Sequence, residues 1–231
     1  MYYSLSFKTD YHFPQVERRF LPGFLNDPRN ENNWLMEYEN NLEADFPDWK
    51  PSKSYYYSYN AKAKKVWRSL LYSGMRDRFV LELPLLEKMQ DKLSLSPFIA
   101  IDNFVEFRKD KFDVLNVFFN IDFMKSVEIS SCVFEYGNKY EKMELYGLTE
   151  EEFINLFNLN DSKVIAKPFT EGRYFIAKKI VLRSKFDIFM LLPFSGLLLL
   201  SQKALNFFES EGIIHLDPWP LKFFELEQKN M

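Results

Sequence analysis

The sequence predicts an α+β fold, with a mainly helical N-terminal part followed by a mostly antiparallel sheet with packed helices in the C-terminal part. Three observations predict it. Apolar side chains recur at helical spacing between Trp34 and Leu93. After Pro97, short segments rich in Val, Ile and Phe alternate with polar turns, as strands do. Two segments in that second half also open on helix-capping residues, Thr149 and Ser201. The change of pattern near Leu93 to Pro97 divides the chain into residues 1–95 and 96–231.

In the first part, Tyr2 to Phe7 alternates as a strand, and LPGF at 21–24 reads as a turn with Pro22 and Gly23 in turn positions. Trp34, Leu35, Tyr38 and Leu42 fall on one helical face, which Pro47 and Pro51 end, leaving the aromatic loop DWKPSKSYYYSY. Asn60 can cap a second helix with Ala63, Val66, Trp67, Leu70 and Leu71 inward and Gly74 as its stop. A third helix starts at Pro84 and turns Leu85, Leu86, Met89 and Leu93 inward.

In the second part, FIAI, FVEF, DVLNVFF, SVEISSCVF, KMELY, KVIA, FIAKKIVL, DIFML and LLLL read as strands. A helix at about 149–159 interrupts them. There Thr149 and Glu152 form a capping box, and Phe153, Leu156 and Phe157 form the apolar stripe. A further helix at about 202–211 has Ser201 as N-cap, Ala204, Leu205 and Phe208 inward and Gly212 as terminator, leading into Ile213 and Ile214 as a last strand.

Composition bounds the chemistry. The 231 residues suffice for a sizeable core without metal or disulfide. Aromatic residues reach 18%, so large flat side chains fill the core and spill onto the surface, where they suit contact with a partner. A single cysteine, Cys132, and an N-terminal stretch without a secretory pattern predict a reducing, cytoplasmic location. The apolar run from Ile188 to Leu200 is shorter than the roughly 20 residues of a spanning helix and is broken by Pro193, Ser195 and Gly196, so it reads as two buried strands and a turn, with no membrane partner.

Catalytic signatures are sparse. His12 and His215 are the only histidines, no G-x-S-x-G elbow exists, and Ser195 before Gly196 reads as a turn serine. Cys132, within SSCVF, reads as a small buried hydrophobe. Two histidines and one cysteine do not supply zinc-type spacing, and the 7 glycines lack phosphate-cradle spacing, so no metal, cofactor or small-molecule substrate is expected. Glu150, Glu151 and Glu152 suit the first turn of a helix. The carboxylates Asp102, Glu106, Asp110, Asp113 and Asp122 leave a hydrolytic pair open, because spatial pairing is invisible in one sequence.

Charge is split along the chain. Residues 26–50 are acidic, with Asp27, Glu31, Glu37, Glu39, Glu43, Asp45 and Asp48, and residues 53–78 are basic. A net charge of -3 argues against a general nucleic-acid binder. Between these stretches, Tyr55, Tyr56, Tyr57 and Tyr59 lead into Lys62, Lys64, Lys65 and Arg68. Three readings stay open: a stacking surface for single-stranded nucleic acid, a Tyr- and Trp-rich protein interface, or half-buried tyrosines beside solvated lysines.

FDVLNVFFNIDFMKS at 112–126 and LLLLSQKALNFFESEGIIHLDPWPL at 197–221 resemble segments of an α+β family of immunity proteins from bacterial polymorphic-toxin systems. The likeness spans about residues 98–222 and rests on structural positions: Ser201, Leu205, Phe208, Gly212, Ile213, Ile214 and Pro218. His215 and Leu216 stand where the family often has a second glycine. The resemblance implies a small cytoplasmic protein without catalytic residues that neutralises a cognate toxin. Its expected contact set is Asp45, Asp48, Trp49, Tyr55, Tyr56, Tyr57, Tyr59, Lys64, Lys65 and Arg68, chosen from the charge and aromatic pattern.

Overall fold

A computed structural model describes residues 1–4, 16–20, 48–51, 55–59, 70–71, 78–138, 140–158, 174–191, 195–213 and 216–229. In chain order these residues form β1 (Tyr2–Ser4), β2 (Val16–Phe20), β3 (Tyr55–Tyr59), β4 (Leu70–Leu71), β5 (Arg78–Leu81), α1 (Leu83–Lys92), β6 (Phe98–Phe107) and β7 (Asp110–Phe119). There follow α2 (Phe123–Ser126), a 3-10 turn (Ile129–Ser131), β8 (Val133–Gly137), β9 (Lys142–Tyr146), α3 (Glu150–Asn158) and β10 (Tyr174–Leu182). The chain continues through β11 (Ile188–Leu191), β12 (Ser195–Ser201), α4 (Gln202–Ser210), β13 (Trp219–Pro220) and β14 (Glu225–Gln228).

The strands build three sheets, ordered β11-β12-β1-β13, β14-β10-β8-β9 and β2-β3-β6-β7-β5-β4. This corrects the predicted α+β class with a mainly helical N-terminal part. Among the described residues the protein is mainly sheet, and the part before residue 95 contributes five strands and one helix. The physical reason is non-local pairing. Tyr57 of β3 lies in parallel register with Val105 of β6, and Phe79 of β5 lies opposite Val117 of β7, so the partners that make these segments strands are far away in sequence. The helices expected from Trp34 and from Asn60 fall largely outside the described residues, although Tyr55–Tyr59 and Leu70–Leu71 are strands. Ladders also run across residue 95: β3 pairs with β6, and β1 with β12.

The first sheet is the middle layer. Alternate residues of a strand face opposite ways. Ile188, Met190, Leu198 and Leu200 enter one core with Phe79, Leu81, Val117 and Phe119 of the six-stranded sheet, Leu85, Leu86 and Met89 of α1 and Ala204, Phe207 and Phe208 of α4. Phe189, Leu191 and Leu199 enter a second core with Phe134 and Phe175 of the other four-stranded sheet and Phe153 and Phe157 of α3. Burial on both faces explains why the run from Ile188 to Leu200 is apolar almost throughout. Ser195 and Gly196 belong to β12 itself and not to the expected turn.

The helices start where the sequence places their caps. Thr149 N–H donates to Glu152 Oε2 at 2.8 Å while Glu152 N–H donates to Thr149 Oγ1 at 3.2 Å, a complete capping box. Ala204 N–H donates to Ser201 Oγ at 3.1 Å, and Gly212 at φ +76° lets the chain leave α4 in a left-handed turn. α1 spans Leu83–Lys92 with Pro84 in its first turn and Leu85, Leu86 and Met89 buried. The expected strands FIAI and FVEF fuse into the single strand β6. The expected strand SVEISSCVF holds only from Val133, because its first residues form the end of α2 and the 3-10 turn. Val127 and Ile129 are nonetheless fully buried. Ile213 is buried outside any strand, and Ile214 and the segments LPGF and KVIA lie outside the described residues.

Candidate binding face

The strands β6 and β7 are each ten residues long and form a regular hairpin from Phe98↔Phe119 to Phe107↔Asp110. On one of its two faces, only one end of this hairpin lies over the first core. On one face Phe98, Ala100, Leu115, Val117 and Phe119 belong to the first core or pack against it. Beyond Ala100 the same face continues as Asp102, Phe104 and Glu106 on β6 and Asp113 and Lys111 on β7, all exposed or half-buried.

Tyr56 of β3 lies beside them and stacks on Phe104, with ring centroids 4.9 Å apart and planes 13° apart. Lys111 Nζ sits 4.8 Å from the centroid of the Phe104 ring and lies opposite Glu106 in the ladder. Asp113 lies directly opposite Phe104, and Asp102 is one pleat further toward the core. Among the described side chains, three carboxylates therefore surround one aromatic stack with a single ammonium among them, and Arg19 of β2 stands opposite Tyr56 in the ladder. A flat, acidic and aromatic surface of this kind suits a basic protein partner, with stacked rings supplying contact area and carboxylates supplying steering.

At the tip of the hairpin, Arg108 has φ 59°, the one non-glycine residue with positive φ among those described. Its guanidinium lies 5.0 Å from the centroid of the Phe107 ring. The left-handed conformation is strained for any side chain with a Cβ.

The predicted contact residues divide. Asp48 is exposed and Trp49 half-buried, in a bend before Pro51. Tyr56 is on the face just described. Tyr57 is 1% exposed, and its hydroxyl donates to Asn116 Oδ1 at 3.0 Å inside the protein, so it is a core residue and cannot stack on a ligand. Tyr55 and Tyr59 are strand residues of β3. Asp45, Lys64, Lys65 and Arg68 lie outside the described residues. Sequence reasoning singled out Asp102, Glu106 and Asp113 only as scattered carboxylates; the i, i+2 alternation across both strands of the hairpin was the signal that they share a face with Phe104.

The other polar clusters are structural in geometry. Glu135 accepts from the Tyr174 hydroxyl at 2.8 Å and pairs with Lys178 at 3.0 Å and Lys142 at 3.8 Å. Burial by itself pushes the Glu135 carboxyl up, but the Tyr174 hydroxyl and the two lysines outweigh it and leave the pKa below its ordinary value. Burial, reinforced by Glu135, pushes Tyr174 up to about 12. Neither group is poised for proton transfer near neutral pH.

Cys132 is buried, its thiol donates to the Glu128 carbonyl at 3.3 Å, and burial pushes its pKa up to about 11, which makes it a poor nucleophile. Glu152 is engaged in the capping box, and Glu150 pairs with Arg183 at 3.5 Å. Asp122 caps α2 by accepting from Lys125 N–H at 3.0 Å. His12 and His215 lie outside the described residues. Among the described residues no group of three or more His, Cys, Asp or Glu side chains is arranged to hold a metal ion, and no helix is long and apolar enough to cross a membrane.

No protein-family model, curated protein or solved structure matches the chain.

Proposed function

We propose that the chain is a non-catalytic immunity protein, which binds a cognate bacterial toxin domain and neutralises it by covering a surface the toxin needs. The observation that carries this reading is the acidic and aromatic face of the β6–β7 hairpin. Asp102, Glu106 and Asp113 lie around the Tyr56–Phe104 stack on the open face of a sheet whose other face buries Tyr57, Val105 and Val114. A toxin that acts on nucleic acid carries basic surface where its substrate binds, and a rigid negative sheet face is complementary to it. The likeness of residues 112–126 and 197–221 to immunity proteins points the same way.

Co-expression tests the proposal. The chain should rescue growth of cells producing the toxin domain encoded beside it, and the two proteins should elute together in gel filtration. A toxin that kills equally with and without the chain sinks the proposal.

A further inference from the structure

We propose that β9 is a self-association edge, through which two copies of this chain join their sheets in antiparallel register about a two-fold axis at Met143. β9 ends the order β14-β10-β8-β9, so among the described residues it has a strand on one side only. Such an edge presents unpaired N–H and C=O groups. Three of the most exposed large apolar side chains gather on this hairpin: Tyr140 at 86%, Met143 at 56% and Tyr146 at 64%.

The ladder fixes which backbone groups are free. Asn138 N–H donates to the Glu141 carbonyl at 2.8 Å, and the β8–β9 register runs without a shift from Gly137↔Lys142 to Val133↔Tyr146. Hydrogen-bonded and non-hydrogen-bonded pairs alternate along an antiparallel ladder. Tyr136↔Met143 and Phe134↔Leu145 are then the bonded pairs, and Lys142, Glu144 and Tyr146 direct their N–H and C=O away from β8.

A second β9 must therefore bond at even-numbered positions. With the axis at Glu144, that residue faces its own copy. With the axis at Lys142, two ammoniums meet. With the axis at Met143, Lys142 meets the copy's Glu144, Met143 meets Met143, and Tyr140 meets Tyr146, so opposite charges and apolar groups all find their complements.

Glu144 has a further reason to take a cation from this side. It lies directly opposite Glu135 in the β8–β9 ladder, and the cations Lys178 and Lys142 are drawn to Glu135. Like charges directly opposite one another destabilise a sheet, and Lys142 of a second copy relieves that at Glu144. The contact is isologous, as a two-fold dimer requires, and its few backbone bonds and side-chain pairs place it in the small, weak class of interfaces.

Sedimentation of the wild-type chain over a range of concentrations should show mass rising toward the dimer, whereas Lys142→Glu and Glu144→Lys should each stay monomeric. An equimolar mixture of the two variants restores both charge pairs and should recover the dimer. Met143→Cys, opposite itself in a non-hydrogen-bonded pair with Cα atoms about 4.5 Å apart, should form an intermolecular disulfide under mild oxidation, and Leu145→Cys should not. A wild type that remains monomeric at millimolar concentration, a mixture that fails to associate while both variants keep native circular dichroism, or equal cross-linking of the two cysteine variants overturns the proposal. None of these measurements involves a toxin.

Discussion

The Ser201 hydroxyl donates to Asp187 Oδ1 at 2.6 Å, and Ser201 Oγ itself accepts the Ala204 N–H at 3.1 Å. One side chain thus caps α4 and satisfies a buried carboxylate. Asp187 also accepts the Ser94 N–H at 2.9 Å and pairs with Lys203 at 3.3 Å, while its backbone N–H and C=O bond to Ser94 and Ser201. The end of α1, the start of β11 and the start of α4 meet at this carboxylate. Asp187→Ala should lower unfolding free energy by roughly 3 kcal/mol, and Ser201→Ala by about 1–2 kcal/mol. Urea midpoints measure both, and a double variant should lose less than the sum because the two side chains share one bond.

Glu135 gives the protein an acid limit. Its pKa is lowered on folding, so the native state holds fewer protons there than the unfolded chain, and the cluster's contribution is complete above about pH 5. That contribution is lost as pH falls through the native value. Glu135→Gln should make the melting temperature less dependent on pH below about 5, read by circular dichroism between pH 3 and 7. Tyr174 acts at the opposite end: its pKa rises to about 12, so its contribution is full below about pH 10 and vanishes as pH climbs through about 12.

Arg108 at φ 59° holds the tip of the β6–β7 hairpin in a conformation that glycine adopts freely. Arg108→Gly should stabilise the protein by up to about 1 kcal/mol, and a β-branched residue there should destabilise it. A thermal melt of the two variants decides the sign.

The acidic face should set the rate of partner binding more than its final strength. If the proposed toxin domain is the partner, reversing Asp102 and Asp113 together should slow association with it at least about tenfold at low salt, flatten its salt dependence and leave the melting temperature nearly unchanged, because both side chains are exposed. Stopped-flow mixing at several salt concentrations measures the slopes. Reversal of Asp48, outside this face, should have a smaller effect.

The sequence was legible where structure is local. The capping box of Thr149 and Glu152, the Ser201 cap and the Gly212 stop each depend on residues within a few positions, and all three are present as expected. The strands β9 and β10 likewise lie where KMELY and FIAKKIVL are expected to be strands. It was illegible where a neighbour decides. Tyr57 reads as one of several surface tyrosines until β6 and β7 are placed beside it and its hydroxyl meets Asn116, 59 residues away in the chain. Asp102, Phe104 and Asp113 became a face only when Phe104↔Asp113 was known as a ladder pair.

Tyr2–Ser4 pairs on one side with Leu199–Ser201 and on the other with Trp219–Pro220. The middle layer therefore cannot assemble around β1 until the ribosome has polymerised nearly all of the residues in between. During synthesis the nascent chain must carry its most apolar strands without their final neighbour, and closing such distant ends is slow. Translation speed and chaperone access, more than native stability, should govern how much of this protein a cell recovers in active form.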